Sequence, residues 1–272
     1  MEMPKPKIGI QSEMVNTDRL KMHVLFSGKQ EDEPVIFLHG NFAAAAYWQD
    51  LMLSLPEGFR GIAPDLRGYG WTEDLLTDAT RGLKDWSEDI LALIDVLKIG
   101  KAHFVGWSLG AAPIYRMLID HPEKIKSMTF VAPVSPYGFG GTKGEEGIPV
   151  YDDFAGCGGG LVNPEFIRRI QEGDRSSTDP NSPRNIINTF YYVPPFKAAD
   201  EEDLLTASLQ EKIGNEKYPG DSVPSTNWPF VGPGKWGPLN GGSGKYMIND
   251  VQDLIAVTPK PPILWIRGDK DQ

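Results

Sequence analysis

Cysteine is nearly absent: Cys157 is the one thiol in 272 residues, so no intrachain disulfide can form. It sits among Gly156 and Gly158–Gly160 with no second ligand at metal-binding spacing, which makes it a structural thiol and leaves the compartment undecided. Basic residues are in deficit, 27 Lys and Arg against 37 Asp and Glu, for a net charge of −10. Nucleic-acid binding needs a basic face to displace counterions, so that class of partner is excluded, and anionic membranes are disfavoured. Long hydrophobic runs are missing too. No stretch approaches the ~20 apolar residues of a membrane span. Met1–Lys7 carries charge with no apolar stretch behind it, so no signal peptide is read and the expected setting is cytoplasmic. Histidine is scarce, with four in the chain, and that scarcity returns below.

What is present is a run of short apolar strands that break into glycine turns. Ala102-His103-Phe104-Val105 reads as a buried strand, and residues 109–120 read as a helix with a crowded apolar face. Between them stands Gly106-Trp107-Ser108-Leu109-Gly110. A serine with glycines at both ±2 positions, between strand and helix, is the pattern of a nucleophile elbow. The serine there takes a strained backbone conformation, and neighbouring chain passes too close for a Cβ. The turn lifts the Ser108 hydroxyl above the sheet and leaves the Leu109 N–H free for a developing oxyanion. Upstream, residues 34–38 form a buried strand that ends in His39-Gly40-Asn41-Phe42. Ala63-Pro64-Asp65-Leu66-Arg67-Gly68-Tyr69-Gly70 follows another short strand at residues 58–62.

These three motifs, in this order, resemble the α/β-hydrolases of the esterase, haloperoxidase and epoxide-hydrolase group. The resemblance covers residues 20–132 and 259–272. It implies an α/β fold with a mostly parallel sheet, helices on both faces and an inserted cap. It also implies a second oxyanion donor from the residue after the His-Gly pair, here the N–H of Asn41, or of Phe42 if the register shifts by one.

The pattern along the chain agrees with that order. A loosely alternating start over residues 8–26 suggests an antiparallel hairpin. Strands at 35–38, 60–63, 102–106 and 125–131 then alternate with helices near 47–55, 85–97 and 109–120, the order of a parallel sheet. Residues 133–258 break the pattern, being rich in Gly, Pro, Asn and Ser. The best helical candidates there are 164–172, 183–193 and 200–213. Trp228, Phe230, Trp236 and Tyr246 argue that the long loops of this region are packed rather than floppy. Strand character resumes at 262–266. The expected organisation is therefore a first core part at 1–132, a cap at 133–258, and a core strand with an acid loop at 259–272, the core continuing beyond this chain.

Acyl transfer by serine needs a base to take the hydroxyl proton and an acid to orient that base. In this fold the order is Ser, then Asp or Glu, then His. Ile266-Arg267-Gly268-Asp269-Lys270-Asp271 matches the family's acid turn and points to Asp271, with Asp269 as a solvated turn residue. The alternative acid position, after the strand ending near Val131, reads Ala132-Pro133-Val134-Ser135-Pro136 and holds no carboxylate. No histidine follows Asp271. His39 belongs to the oxyanion turn, His103 lies on the elbow strand, His121 closes the elbow helix and His23 is in the opening hairpin. The expectation is a serine hydrolase of a small-molecule ester, with the histidine on a C-terminal segment or second chain that completes the fold. No cofactor and no metal are implied. A catalytically incomplete ligand-binding protein is the alternative from another class. A cofactor-free perhydrolase or haloperoxidase shares the motifs, as do carbon–carbon hydrolases and aminopeptidases of the same fold. A serine at the elbow, in place of aspartate, sets aside dehalogenase and epoxide-hydrolase chemistry.

Overall fold

Strict alternation on the third strand decides how the layers stack. In the computed structural model, which describes residues 2–271, β3 (Glu33–Leu38) sends Val35 and Phe37 to one face of a sheet and Ile36 and Leu38 to the other. Both pairs are buried, so both faces must be covered. The other strands are β1 (Gln11–Asn16), β2 (Lys21–Phe26), β4 (Phe59–Pro64), β5 (Ala102–Trp107), β6 (Ile125–Val131) and β7 (Ile263–Ile266). Their order is β1-β2-β4-β3-β5-β6-β7. The opening hairpin is antiparallel and joins β4 antiparallel, while β4 through β7 all run parallel.

Helices α2 (Lys84–Val96) and α3 (Ala111–Asp120) cover one face. Trp86, Ile90, Leu93 and Ile94 of α2, with Ile114, Met117 and Leu118 of α3, join Ile36, Leu38, Ile62 and Phe104 in the larger core. The spacing of the α2 residues is the helical spacing expected from the sequence. The opposite face is covered by a single 3-10 turn running into α1 (Gln49–Leu53), whose Trp48 and Met52 meet Phe37, Ala63 and Val105.

Residues 132–262 stand between β6 and β7. The three longest helices there are α4 (Pro164–Gln171), α5 (Pro183–Phe190) and α6 (Glu201–Ser208), each shorter than the sequence pattern suggests. Asn163 and Ser182 cap α4 and α5 by accepting from backbone N–H groups, with proline in the first turn of each. The remainder is loop, two- and three-residue strand pairs and short helical turns. Of the four aromatics expected to pack these loops, Trp236 and Tyr246 are partly buried, whereas Trp228 and Phe230 are 71% and 65% exposed. Both rings lie on a tight turn, where Phe230 takes a left-handed backbone (φ 71°) and its N–H returns to the Asn227 carbonyl.

Candidate functional site

A parallel sheet gathers the ends of β3, β4, β5, β6 and β7 along one edge. Leu38 is level with Gly106, Gly106 with Phe130, and Val131 with Ile266. The turns after these strands therefore face the same crevice. The chain passes from β3 to β4 on one side and crosses to β5 on the other, so the strand order reverses between β3 and β5. That reversal is where open α/β sheets place ligands, and it is where the Asn41 and Ser108 turns lie.

Ser108 has the strained backbone that its motif requires, with φ 51° between the extended Trp107 and α3. The flanking glycines have steric reasons. A Cβ on Gly110 would sit 2.4 Å from the His39 carbonyl oxygen and 2.5 Å from that of Leu38. One on Gly106 would sit 2.7 Å from Ile114 Cδ1 and 2.9 Å from Ala111 Cα. The β3 turn closes on the elbow equally tightly, since a Cβ on Gly40 would lie 2.9 Å from Ser108 Cβ. Ser108 stays partly exposed, while its own carbonyl accepts from Val134 N–H at 3.0 Å. Leu109 is in the first turn at the head of α3, where backbone N–H groups have no partner one turn back.

The Asn41 turn is held from above and below. Its side-chain amide donates to the Tyr218 hydroxyl at 3.2 Å and accepts from the Tyr69 hydroxyl at 3.3 Å. The Tyr191 hydroxyl donates to the Asn41 carbonyl at 2.5 Å and lies 3.0 Å from that of Phe42. Phe42 has φ 47° and packs edge-on against Phe166 of α4. Burial pushes the Tyr191 and Tyr218 phenols up, so both stay protonated. Tyr191 also stacks edge-on to Trp107, 5.0 Å between ring centroids, and Tyr47 lies 5.7 Å from the same ring. The insertion thus reaches the crevice through Tyr191 and Tyr218, two residues that no local motif marks.

Beneath the turns lies a buried polar frame. The Asp65 carboxylate accepts from His23 Nδ1 at 2.6 Å, from Ala45 N–H at 2.7 Å and from Trp71 N–H at 2.9 Å. Burial pushes Asp65 up, but His23, His39 and the Trp71 N–H outweigh it and hold the carboxyl below its usual range. Burial pushes the His39 imidazole down against the pull of Asp65. His39 is accordingly neutral, and its Nε2 accepts from Leu66 N–H at 2.9 Å. Arg67 grips Asp89 of α2 with two bonds of 2.7 Å and pins the turn after β4 to the helix layer.

The four histidines all serve other contacts. His23 is held between Asp65 and Ser12 Oγ (2.8 Å), and His39 sits under the Asn41 turn with Nδ1 on the Gly40 carbonyl. His103 Nδ1 meets Ser127 Oγ at 2.6 Å, and His121 lies 3.4 Å from Glu123 at the surface. Among the described residues, no side chain hydrogen-bonds Ser108 Oγ. Asp271 stands on the same sheet edge as Ser108, beyond β7, but its carboxylate is paired at 3.3 Å with Arg267 and exposed. The geometry brings Ser108, Leu109 and Asn41 together and leaves Asp271 to one side. Cys157 is buried, its thiol donating to the Phe154 carbonyl at 3.1 Å. Among the described residues, no group of three or more metal-ligating side chains occurs, and no helix is long and apolar enough to cross a membrane.

A family model described as alpha/beta hydrolase fold matches residues 33–153, which include all three turn motifs. The 2-hydroxy-6-oxononadienedioate/2-hydroxy-6-oxononatrienedioate hydrolase of Comamonas testosteroni is 31% identical over 107 residues, 38% of this chain and 37% of that protein. The uncharacterized carboxylesterase nap of Bacillus subtilis (strain 168) is 23% identical over 181 residues, 63% of this chain and 60% of that protein. The match thus spans little more than a third of the first relative's length. In three dimensions the chain is similar to the 2-hydroxy-6-oxo-6-phenylhexa-2,4-dienoate hydrolase of Rhodococcus sp. strain RHA1. That similarity has a TM-score of 0.58 at 19% identity, over 96% of this chain and 81% of that one.

Proposed function

We propose that this chain, whose residues 33–153 match the alpha/beta hydrolase fold model, is a serine hydrolase cleaving a small-molecule ester through an acyl-enzyme on Ser108. One observation carries the reading. A serine in a left-handed backbone is wedged between Gly106 and Gly110, at the point where the strand order reverses, with the Asn41 turn against it. Strain of that kind persists only where the surroundings over-determine it, and nucleophile elbows are such places.

In the proposed reaction Ser108 Oγ attacks the ester carbonyl carbon and its proton passes to a base. The carbonyl oxygen, now negative, is met by the N–H groups of Leu109 and Asn41. The alcohol leaves with the proton that the base returns, and water repeats the sequence on the acyl-enzyme. Residues 133–258 act as the cap. Tyr191 and Tyr218 hold the Asn41 turn from that side, and the Trp107, Tyr47 and Tyr191 rings pack together beside the elbow.

The base we assign to a histidine outside these 272 residues, on a following segment or a second chain, with Asp271 as its orienting acid. Two features support this. All four histidines of the chain are engaged away from Ser108. The outer strand β7 also leaves Ile263, Leu264, Trp265 and Ile266 between 45% and 56% exposed. An apolar strand edge of this kind is a pairing site that proteins normally cover.

The test is hydrolysis of a panel of 4-nitrophenyl esters by protein that contains the histidine-bearing segment. Ser108→Ala should remove turnover, and the 272-residue chain alone should be slower by roughly 10⁶, the cost of losing a triad histidine in subtilisin. Brisk, Ser108-dependent turnover by the 272-residue chain alone would contradict the assignment of the base. The second reading, a ligand-binding protein without catalysis, is favoured by the pairing of Asp271 with Arg267. It predicts that no preparation, however extended, hydrolyses any ester through Ser108.

A further inference from the structure

Glu211 is the most anomalous side chain in the molecule. It lies in the turn after α6, where its N–H returns to the Ser208 carbonyl at 3.1 Å. The residue is 7% exposed, and both of its carboxyl oxygens are buried without a hydrogen-bond partner among the described residues. Burying an ionised carboxylate without a partner is strongly unfavourable, which favours the neutral acid. Burial pushes its pKa well up, only partly offset by Lys212. A leucine or glutamine would fill the same space more cheaply, and polar groups kept against such a cost cluster at functional sites.

Its neighbours connect it to the proposed oxyanion turn. The next residue, Lys212, docks the cap on the turn after β4, with its N–H on the Gly68 carbonyl at 3.1 Å and its ammonium on the Gly70 carbonyl at 2.8 Å. The Lys212 carbonyl accepts from Tyr218 N–H at 2.9 Å, and the Tyr218 hydroxyl accepts from the Asn41 amide. Glu211 and Tyr218 together face a small cavity that is also lined by Gly68 and Thr77, with the Asp74–Lys217 ion pair on its rim. The titratable groups around Glu211 are therefore Tyr69 from the turn after β4, Tyr191 after α5, Tyr218, Lys212, and the Asp74 and Lys217 pair.

We propose that Glu211 is a positioning residue for Asn41: with its proton in place the cap segment 208–218 stays seated on the turn after β4 and keeps the Tyr218 hydroxyl on the Asn41 amide, and loss of the proton releases that contact. The physical route is short. An ionised Glu211 must find a counter-charge, and the ammonium groups beside it are those of Lys212, which already acts on its carboxyl, and of Lys217, on the same cavity. Drawing in Lys212 removes it from the Gly70 carbonyl, and drawing in Lys217 breaks the Asp74 pair. Either movement displaces the backbone on both sides of Tyr218. The catalytic consequence rests on the reading of Asn41 as an oxyanion residue, whereas the coupling itself does not.

The experiment follows the Asn41 side-chain amide resonances of the 272-residue chain by ¹⁵N-correlated NMR. The titration runs from about pH 5 to about pH 10, which spans the range documented for buried glutamates. The signal is assigned with Asn41→Asp. The expected result is a single transition that tracks the Glu211 carboxyl carbon, absent in Glu211→Gln, which keeps the size and removes the proton. Tyr218→Phe should also flatten the Asn41 response while the Glu211 carbon still titrates, a result that does not depend on how the Gln variant folds. Asn41 signals indifferent to pH in the unmodified chain would overturn the proposal. So would an unchanged transition in Glu211→Gln. Ester turnover does not enter, so failure here and failure of the serine-hydrolase reading are separate results.

Discussion

The two halves of the proposed site sit on the same sheet edge and are built very differently. The half made by β3 and β5 is over-determined. Leu38, Phe104 and Leu109 are almost fully buried, Gly40, Gly106 and Gly110 leave no room for a methyl group, and Asn41 is bonded through both its side chain and its carbonyl. The half made by β7 is bare. Its four residues are about half exposed, and Asp271, the proposed acid, is paired with an exposed Arg267. Strain at Ser108 can be held because many contacts oppose its relaxation. No such enclosure exists around Asp271. The proposed nucleophile and oxyanion donors are therefore held by many contacts, whereas the proposed acid, Asp271, is held by few.

The largest effect that can break this contrast is chemical. In an active preparation, Ser108→Ala should lower kcat by roughly 10⁴ to 10⁶, whereas Asp271→Asn should cost less because an orienting acid is removed rather than the nucleophile. Equal losses would place both halves on the same footing. Next comes packing. Gly110→Ala forces a methyl group against the Leu38 and His39 carbonyls and should cost about 3 kcal/mol by denaturant unfolding. Gly100→Ala, with open space around it, should stay within about 0.5 kcal/mol.

A smaller effect sharpens the contrast through pH. Glu211 has a raised proton affinity in the folded state because it is buried. Below the ordinary glutamate range both states carry the proton and nothing is lost. As pH rises, the unfolded chain releases its proton first, so the folded state loses stability until its own carboxyl titrates. Glu211→Gln should therefore be close to neutral near about pH 4 and increasingly stabilising toward about pH 8 in thermal melts. A difference that shrinks as pH rises would show that the carboxyl is paired after all. The smallest effect is expected at the bare end. Trp265→Ser removes one edge-on contact with Phe130 and should cost about 1 kcal/mol or less, against about 3 to 5 for Phe104→Ala in the enclosed half.

The same contrast explains what could be read from the sequence. Strand order, the helices of the sheet layer and the elbow were legible because period-2 and helical spacing, with glycines at ±2 of Ser108, reflect local geometry. The Asn41 turn was legible through its His-Gly pair. Tyr191, Tyr218 and Glu211 were not: the two tyrosines reach Asn41 across 150 and 177 residues of chain, and none of the three carries a local signature. Glu211 was further disguised, because the apolar pattern extends the helix over 200–213 while α6 stops at Ser208. The exposed rings of Trp228 and Phe230 show the opposite error. Aromatic content suggested packing, yet both rings stand exposed on a tight turn that has Phe230 in a left-handed backbone.

The most direct test of the central claim is intact-mass analysis after treatment with a fluorophosphonate, comparing the 272-residue chain with protein that also carries the histidine-bearing segment. The account predicts one phosphonyl adduct per chain, on Ser108 and lost in Ser108→Ala, with labelling at least about 10³ faster in the extended protein. Rapid labelling of the 272-residue chain alone, or an adduct on a different side chain, would contradict it.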